Sequence, residues 1–237
     1  MENFNFIIIL GSFQKNTFAI VYSILECLDL PKLVHTPQSN DLSLQLTDFT
    51  EELTIRPFNW DNFIEFFQNE SNSKGQNIVI MLSPKFNLAE QFQQLFHIHE
   101  YVPLNIIKII SIIDHCYFDG FHENLLDAMA HFSDILLIDN NPEIGHNRLK
   151  NFLNHCKQKE CYPLPIKILS QYSVENIPEL FDDRHRRMTL IFDDIDPIDL
   201  IEDSMADSTP FTIPTLAQRD KYLKKDDRGQ YCISIEL

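Results

Sequence analysis

Apolar residues recur along the first two thirds of the chain in short continuous runs, each followed by a polar turn. The clearest runs are Phe4 to Leu10, Asn77 to Leu82, Asn105 to Ile113 and Asp134 to Asp139. Runs that are apolar at nearly every position are typical of strands buried on both faces of a sheet. The pattern therefore predicts several buried β-strands.

Stretches with helical spacing separate these runs. The predicted helices cover about Thr17 to Pro31, Trp60 to Phe67, Leu88 to Phe96, Glu123 to Phe132 and Ile144 to Cys156, and shorter strands are predicted at Lys32 to His35 and Pro165 to Leu169. Regular alternation of strands and helices indicates an α/β fold. We expect a mostly parallel sheet of five to six strands with helices on both faces.

The character of the chain changes beyond Asp182. Apolar runs at Met188 to Phe192 and Tyr231 to Ile235 flank an acidic segment that is punctuated by prolines. We therefore expect an α/β domain over residues 1–182. The remainder, residues 183–237, is predicted to be an acidic C-terminal extension with one or two strands.

The excess of acidic residues indicates which kinds of molecule the chain can bind. The chain has 237 residues, with 19 basic and 35 acidic side chains and a formal net charge of -16. Such a surface repels phosphate backbones and anionic lipids, so neither nucleic acid nor a membrane is expected as a partner, and a protein partner fits better. Five widely spaced cysteines, and the lack of an apolar stretch of the ~20 residues that a membrane span needs, favour a cytoplasmic location.

The segment after the first strand lies where a phosphate-binding loop is expected. A working loop has the pattern G-x-x-x-x-G-K-[ST], in which backbone amides wrap the phosphates, the lysine neutralises their charge and the hydroxyl binds Mg²⁺. Counting from Gly11, Asn16 replaces the second glycine, Thr17 the lysine and Phe18 the hydroxyl. A shifted frame uses Lys15 as the lysine and Thr17 near the hydroxyl position, and it shortens the loop by two residues.

Neither frame provides the usual cradle for a triphosphate. Gly11, Lys15, Asn16 and Thr17 are the candidate cofactor-binding residues of a vestigial phosphate loop. No catalytic residue and no resident cofactor are predicted, and weak nucleotide binding is the open alternative.

Four stretches resemble, in their order and hydrophobic pattern, the GTPase domain of the CobW-type metallochaperones, which are relatives of the nickel-insertion GTPases of urease and hydrogenase. The stretches are FIIILGSFQKNTF, NIVIMLSPKFNLAEQFQQLF, IISIIDHCYF and NLLDAMAHFSDILLIDNNPEI. The resemblance covers about residues 4–180, and no single motif in it is specific. It implies a P-loop NTPase-like fold and, in an intact member, a GTP-dependent role in metal delivery.

The functional motifs of that family are altered in this chain. Met81 and Pro84 replace the Glu and Gly of the family's Glu-x-Ser-Gly, and Asp139-Asn140-Asn141-Pro142 replaces its guanine-reading Asn-Lys-x-Asp. No cysteine lies between Cys27 and Cys116, so the family's Cys-x-Cys-Cys metal site has no counterpart. The resemblance therefore implies a divergent, catalytically degenerate member that acts as a binding or assembly module. The alternative is a divergent nucleotide-binding metallochaperone GTPase with a reshaped phosphate loop.

Three other stretches carry potential metal ligands. Residues 114–131 gather Asp, His, Cys and Glu after a predicted strand, His97 and His99 would share one side of an extended segment, and residues 193–207 are acidic. Gly120 interrupts any helical alignment in the first stretch, and the third lacks the spacing and mid-loop glycine of a calcium loop. Loops and solvated surface are the ordinary interpretation, so no metal site is predicted.

Overall fold

Strands and helices alternate along the part of the chain that the structure describes. This structure is a computed structural model, and it describes residues 5–12, 15–37, 53–70, 77–102, 104–113, 123–139, 146–158, 166–169, 174, 177, 181, 189, 191–192, 220–233 and 235. The strands are β1 (Asn5–Leu10), β2 (Leu33–Pro37), β3 (Thr54–Phe58), β4 (Asn77–Leu82), β5 (Asn105–Ile113), β6 (Ile135–Asp139) and β7 (Ile166–Leu169). The helices are α1 (Lys15–Cys27), α2 (Phe63–Glu70), α3 (Leu88–Tyr101), α4 (Glu123–Phe132) and α5 (His146–Gln158).

The described strands form one parallel sheet in the order β3-β2-β4-β1-β5-β6-β7. β1 lies in its centre, where Asn5 stands opposite Asn77 of β4 on one side and Asn105 of β5 on the other. The predicted α/β class and parallel sheet are confirmed. The sheet has seven strands within the described ranges, where the sequence predicted five to six.

The additional strand is β3, at one edge of the sheet. Its sequence TIRPF contains Arg56 and Pro57, and only Phe58 of its residues is buried. Proline lacks an amide donor and is tolerated in edge strands, which need no hydrogen-bonding partner on one side. The ring of Phe58 packs edge-on against Phe67 of α2, with centroids 5.6 Å apart. An edge strand of this mixed composition has no continuous apolar run, so the hydrophobic pattern alone did not predict it.

Alternating side chains of the sheet divide the core into two layers. Phe6, Ile8 and Leu10 of β1 belong to the layer covered by α2, α3, α4 and α5, whereas Ile7 and Ile9 belong to the layer covered by α1. This follows from the two-residue period of a strand, whose successive side chains point to opposite faces. The expectation of helices on both faces is confirmed.

Residues 224–232 form a tight turn, called here the C-terminal hairpin. Lys225 and Tyr231 make an isolated antiparallel bridge, and the amide of Cys232 donates to the carbonyl of Lys224 at 2.9 Å. Gly229 has a φ of 78°, a left-handed conformation that favours glycine.

The hairpin region shares the main core. Tyr222, Leu223 and Ile235 are buried in the same layer as α3 and α4. Within the described residues, the predicted strands at Met188 to Phe192 and Tyr231 to Ile235 are represented by turns and this single bridge. The division into residues 1–182 and 183–237 stays a prediction.

Candidate functional site

The connection between β1 and α1 is short, since β1 ends at Leu10 and α1 begins at Lys15. Its described residues, Gly11 and Ser12, are both buried. The amide of Gly11 donates to the carbonyl of Leu82 at 3.1 Å, which joins the ends of β1 and β4. A Cβ atom added to Gly11 would lie 3.0 Å from Cγ2 of Thr17 and 3.5 Å from Cβ of Ile112. Gly11 is therefore enclosed between the first turn of α1 and strand β5.

The hydroxyl of Ser12, in this turn, lies close to that of Thr17, in the first turn of α1. Oγ of Ser12 lies 3.3 Å from Oγ1 of Thr17, and each residue is only 1% exposed. Phe18, the next residue, is fully buried in the core layer beneath α1. In the frame counted from Gly11, the residues at the lysine and hydroxyl positions are thus both buried. Because buried hydroxyls need hydrogen-bonding partners, the contact between Ser12 and Thr17 stabilises the closed turn.

The four candidate cofactor-binding residues come together around the start of α1. Gly11 follows β1, Lys15 is the first residue of the helix, Asn16 is half-buried in its first turn and Thr17 is buried. In a standard phosphate loop the helix opens at the second glycine, whose amides point at the phosphates. Here α1 begins at Lys15, one residue before Asn16, which holds the position of the second glycine. Whether these residues bind a nucleotide stays a prediction.

The turn after β4 is also closed by side-chain contacts. The side-chain nitrogen Nε2 of Gln91, on α3, donates to the carbonyls of Ser83 at 2.9 Å and Phe86 at 3.1 Å. The hydroxyl of Ser83 accepts from the amide of Lys85 at 3.3 Å. Gln91 is 5% exposed, so a buried polar side chain of the helix stabilises this turn. The contacts of Gln91 were not predicted from the sequence, although a polar residue on the buried face of a predicted helix is a signal for such a role.

The remaining strand ends are described only in part. Residues 114–122 and 140–145, which include most of the first metal candidate and of the altered guanine-reading motif, lie outside the described residues, as does the side chain of Asp139. Thr36, near the end of β2, is fully buried, and its hydroxyl makes no hydrogen bond within the described ranges.

The interpretation of His97 and His99 as part of a solvated loop after the helix is wrong, and so is the extended arrangement that would place them on one side. Both residues lie in α3, which continues to Tyr101, and helical residues two positions apart do not face each other. Nδ1 of His97 lies 3.6 Å from Glu100, whereas Nδ1 of His99 accepts from the amide of Leu104 at 2.9 Å. Across the described residues, no group of three or more His, Cys, Asp or Glu side chains is arranged to hold a metal ion.

A second polar centre connects α4 to the C-terminal segment. Nε2 of His131 lies 2.7 Å from Oδ2 of Asp220, and the same oxygen accepts from the hydroxyl of Thr189 at 2.8 Å. Burial alone would raise the pKa of the Asp220 carboxyl. The hydrogen bond and charge of His131, together with hydrogen bonds from the Tyr222 amide and Thr189, outweigh burial and hold the pKa below its usual value.

Two solved structures resemble the chain in fold. The Zn(II)-bound YjiA GTPase from E. coli matches with a TM-score of 0.51 and 11% identity, over 76% of this chain and 61% of YjiA. A Zn(II)-bound triple mutant of YjiA matches with a TM-score of 0.50 and 12% identity, over the same shares of 76% and 61%. This chain has a P-loop GTPase-like fold.

At such low identity the similarity establishes the fold alone. The chain spans about three fifths of the length of the YjiA chains it matches, since the shared part covers 61% of each. No family model matches the sequence, and a search of curated proteins finds no match. The sequence resemblance is therefore confirmed at the level of a P-loop GTPase-like fold. None of the helices in the described ranges is long and apolar enough to cross a membrane.

Proposed function

We propose that the chain is a catalytically degenerate P-loop GTPase-like protein that acts as a binding or assembly module. The observation that carries the proposal is the packing at the end of β1, where a Cβ added to Gly11 would lie 3.0 Å from Cγ2 of Thr17 and the Thr17 hydroxyl lies 3.3 Å from that of Ser12. A phosphate loop needs an open ring of amides and a hydroxyl that is free to bind Mg²⁺. A Thr17 hydroxyl that is buried and next to the Ser12 hydroxyl supports a fold that no longer holds a magnesium–triphosphate complex.

The turn after β4 supports the same proposal. In a GTPase, the loop at this position has to change conformation with the γ-phosphate. Here Gln91 ties the carbonyls of Ser83 and Phe86 to α3, and Pro84 restricts the backbone between them. A turn fixed by these contacts fits a scaffold better than a nucleotide-dependent switch.

The charge of the chain supports a protein as the partner. A net charge of -16 disfavours nucleic acid and anionic lipid surfaces, and it leaves polar or basic protein surfaces as the complementary class. We place this binding role in the cytoplasm, in keeping with the few and scattered cysteines.

Calorimetry with nucleotides tests the proposal. The chain is titrated with GTP, GTPγS and ATP in the presence of Mg²⁺, and phosphate release is followed in parallel. We expect no turnover and no tight binding, because in the frame counted from Gly11 the lysine and hydroxyl positions are held by Thr17 and Phe18, which are both buried. Micromolar binding accompanied by turnover would overturn the proposal.

One observation favours the alternative of a divergent nucleotide-binding metallochaperone GTPase. Lys15 is the first residue of α1, and the first turn of that helix contains no acidic residue. The positive end of the helix dipole is therefore unopposed by a carboxylate and could attract a phosphate. On this alternative, Lys15→Ala abolishes nucleotide binding, whereas Lys150→Ala, an exposed lysine of α5, leaves it intact. The metal-delivery part is tested by the zinc and nickel content of the purified protein.

A further inference from the structure

A polar groove of about 840 Å³ runs between the outward face of α3 and the C-terminal hairpin. The α3 wall carries Glu90, Gln94, His97 and Glu100, and the hairpin wall carries Lys224 and Lys225. The volume falls within the ~300–1,000 Å³ of typical ligand clefts, although such clefts are usually more apolar. The groove lies against helix α3 and is separate from the turn after β1.

The α3 wall follows from the amphipathic pattern of the helix. α3 buries residues that include Leu88, Phe92 and Leu95, so side chains on its opposite stripe face outward. Outward positions three or four residues apart form one row along a helix, as Glu90, Gln94 and His97 do here. The polar row therefore presents a linear surface, which suits an extended ligand.

The hairpin wall is held rigidly by its own hydrogen bonds. Oδ1 of Asp226 accepts from the amides of Arg228 and Gln230, both at 2.9 Å, and the amide of Asp226 donates to the carbonyl of Gln230 at 2.8 Å. The hydroxyl of Tyr231 donates to Oε1 of Gln93 on α3, so the hairpin is tied directly to the opposite wall. A site built in advance loses less conformational freedom when a ligand binds.

Charges of opposite sign line the two walls without neutralising each other. Glu90 and Glu100 stand on the helix side, and Lys224 and Lys225 stand on the hairpin side. Among the described residues no ion pair joins these walls: Glu100 lies near His97, and Nζ of Lys225 lies 4.6 Å above the ring of Tyr231. Within the described ranges, the charges of the two walls are therefore not paired with each other across the groove.

We propose that this groove binds an extended peptide segment of a partner protein in which acidic and basic side chains alternate. The acidic side chains meet Lys224 and Lys225, the basic ones meet Glu90 and Glu100, and the side-chain amide of Gln94 is in place to bond the peptide backbone. The overall charge of -16 alone would select a basic partner, but two lysines in the groove give an additional preference for acidic groups. The inference rests on the proposed binding role only in assuming that the chain works through a protein partner.

Fluorescence anisotropy with three labelled probes tests the inference. The probes are short glycine–serine peptides that carry alternating glutamate and lysine, glutamate alone, or lysine alone. We expect the mixed-charge peptide to bind more tightly than either single-charge peptide. Combining Lys224→Glu with Lys225→Glu should weaken that binding roughly tenfold, because both reversals place repulsive charges in the groove.

A charge swap separates local recognition from overall charge. Adding Glu90→Lys and Glu100→Lys to the two lysine reversals restores the net charge and exchanges the walls, so we expect binding of the mixed peptide to return to within about threefold of the unmodified chain. Lys150→Glu with Lys157→Glu is the matched control, since both lysines are exposed on α5 and the change in net charge is the same. This control should leave binding nearly unchanged.

A readout on the unmodified chain keeps the test decisive if a variant folds poorly. The bound mixed peptide should protect Lys224 and Lys225 from acetylation and leave Lys150 reactive. Absence of mixed-peptide binding, equal binding of the single-charge peptides, or equal losses in the groove and control variants would each overturn the inference. If the mixed peptide does not bind and no GTP turnover is found, the inference fails and the proposed function stands. If the mixed peptide binds the groove and GTP is turned over, only the proposed function is overturned.

Discussion

Nε2 of His131 lies 2.7 Å from Oδ2 of Asp220, and the two side chains are 11% and 5% exposed. The contact joins α4 to the segment that precedes the C-terminal hairpin, across 89 positions of the sequence. The carboxylate also accepts from the Thr189 hydroxyl and the Tyr222 amide, so its hydrogen-bonding capacity is largely used. Asp220 therefore fixes the C-terminal segment to the core through hydrogen bonds to α4 and to Thr189.

Replacing Asp220 by alanine should destabilise the fold. The change leaves His131 and the Thr189 hydroxyl without their acceptor in a buried site, so we expect the free energy of unfolding to fall by roughly 2–4 kcal/mol. Urea unfolding followed by circular dichroism measures it. Asp227→Asn, at the exposed tip of the hairpin, serves as the control and should change stability by less than about 0.5 kcal/mol. Equal stability of the two variants would mean that the His131–Asp220 contact contributes nothing.

The same carboxylate should make stability depend on pH in the acidic range. The pKa of Asp220 is lower in the folded chain than its ordinary value of 3.8, so the unfolded chain binds more protons between the two values. Its contribution is fully present above 3.8 and is lost as pH falls through the folded pKa. We expect the difference in unfolding free energy between the unmodified chain and Asp220→Asn to shrink as pH falls from about 5 to about 3. A constant difference would contradict the prediction.

Strands with continuous apolar sequence were predictable, and those without it were not. β4 and β5 have the predicted bounds, Asn77–Leu82 and Asn105–Ile113, because polar residues flank their apolar runs in the sequence. β3 was missed because an exposed edge strand does not need such a run. Helix α3 continues to Tyr101, beyond the predicted end at Phe96, and the polar residues His97 and Glu100 of this last part lie on its exposed face.

The position of the turn after β1 could be predicted from the sequence, but the packing of its side chains could not. The position of Gly11 after a buried strand sufficed to place it at the carboxyl-terminal end of the parallel sheet. Its enclosure depends on Thr17 and on Ile112 of β5, and the latter is adjacent only after the central strands have paired. The contacts of the C-terminal segment were likewise not predictable. Nothing in the local sequence of His131 indicates that its partner is Asp220.

Tyr231 should ionise later than an ordinary tyrosine. Burial, with a smaller effect of the Glu90 charge, raises the pKa of its phenol from 10.0 to about 12. The protonated phenol therefore contributes stability that is fully present below pH 10.0 and is lost as pH rises through about 12.

Spectrophotometric titration of tyrosinate checks this prediction. The chain has seven tyrosines, so the Tyr231 signal is taken as the difference between the unmodified chain and Tyr231→Phe. The difference should develop near pH 12, and Glu90→Gln should move it to lower pH. A difference centred at the ordinary value of about 10 would show that the phenol is freely solvated.

The closed turn after β1 predicts a specific coupling between Gly11 and Thr17. In Gly11→Ala the new Cβ would meet Cγ2 of Thr17 at 3.0 Å, and rotating the threonine away would separate its hydroxyl from Ser12. We expect a loss of roughly 1–3 kcal/mol in the free energy of unfolding, as for other overpacked sites. Thr17→Ser removes the methyl group and keeps the hydroxyl, so it should cost little alone and should recover much of the loss when combined with Gly11→Ala.

Urea unfolding of the two single variants and the double variant forms a double-mutant cycle that measures this coupling. A favourable interaction energy means that Thr17 occupies the space next to Gly11 in solution, and the phosphate position is then closed. Additive effects would contradict the closed geometry, because the two side chains would not be in contact. In that case the Thr17 hydroxyl would be free to contact a ligand. The result would favour the alternative of a reshaped nucleotide loop around Lys15 over the proposed function.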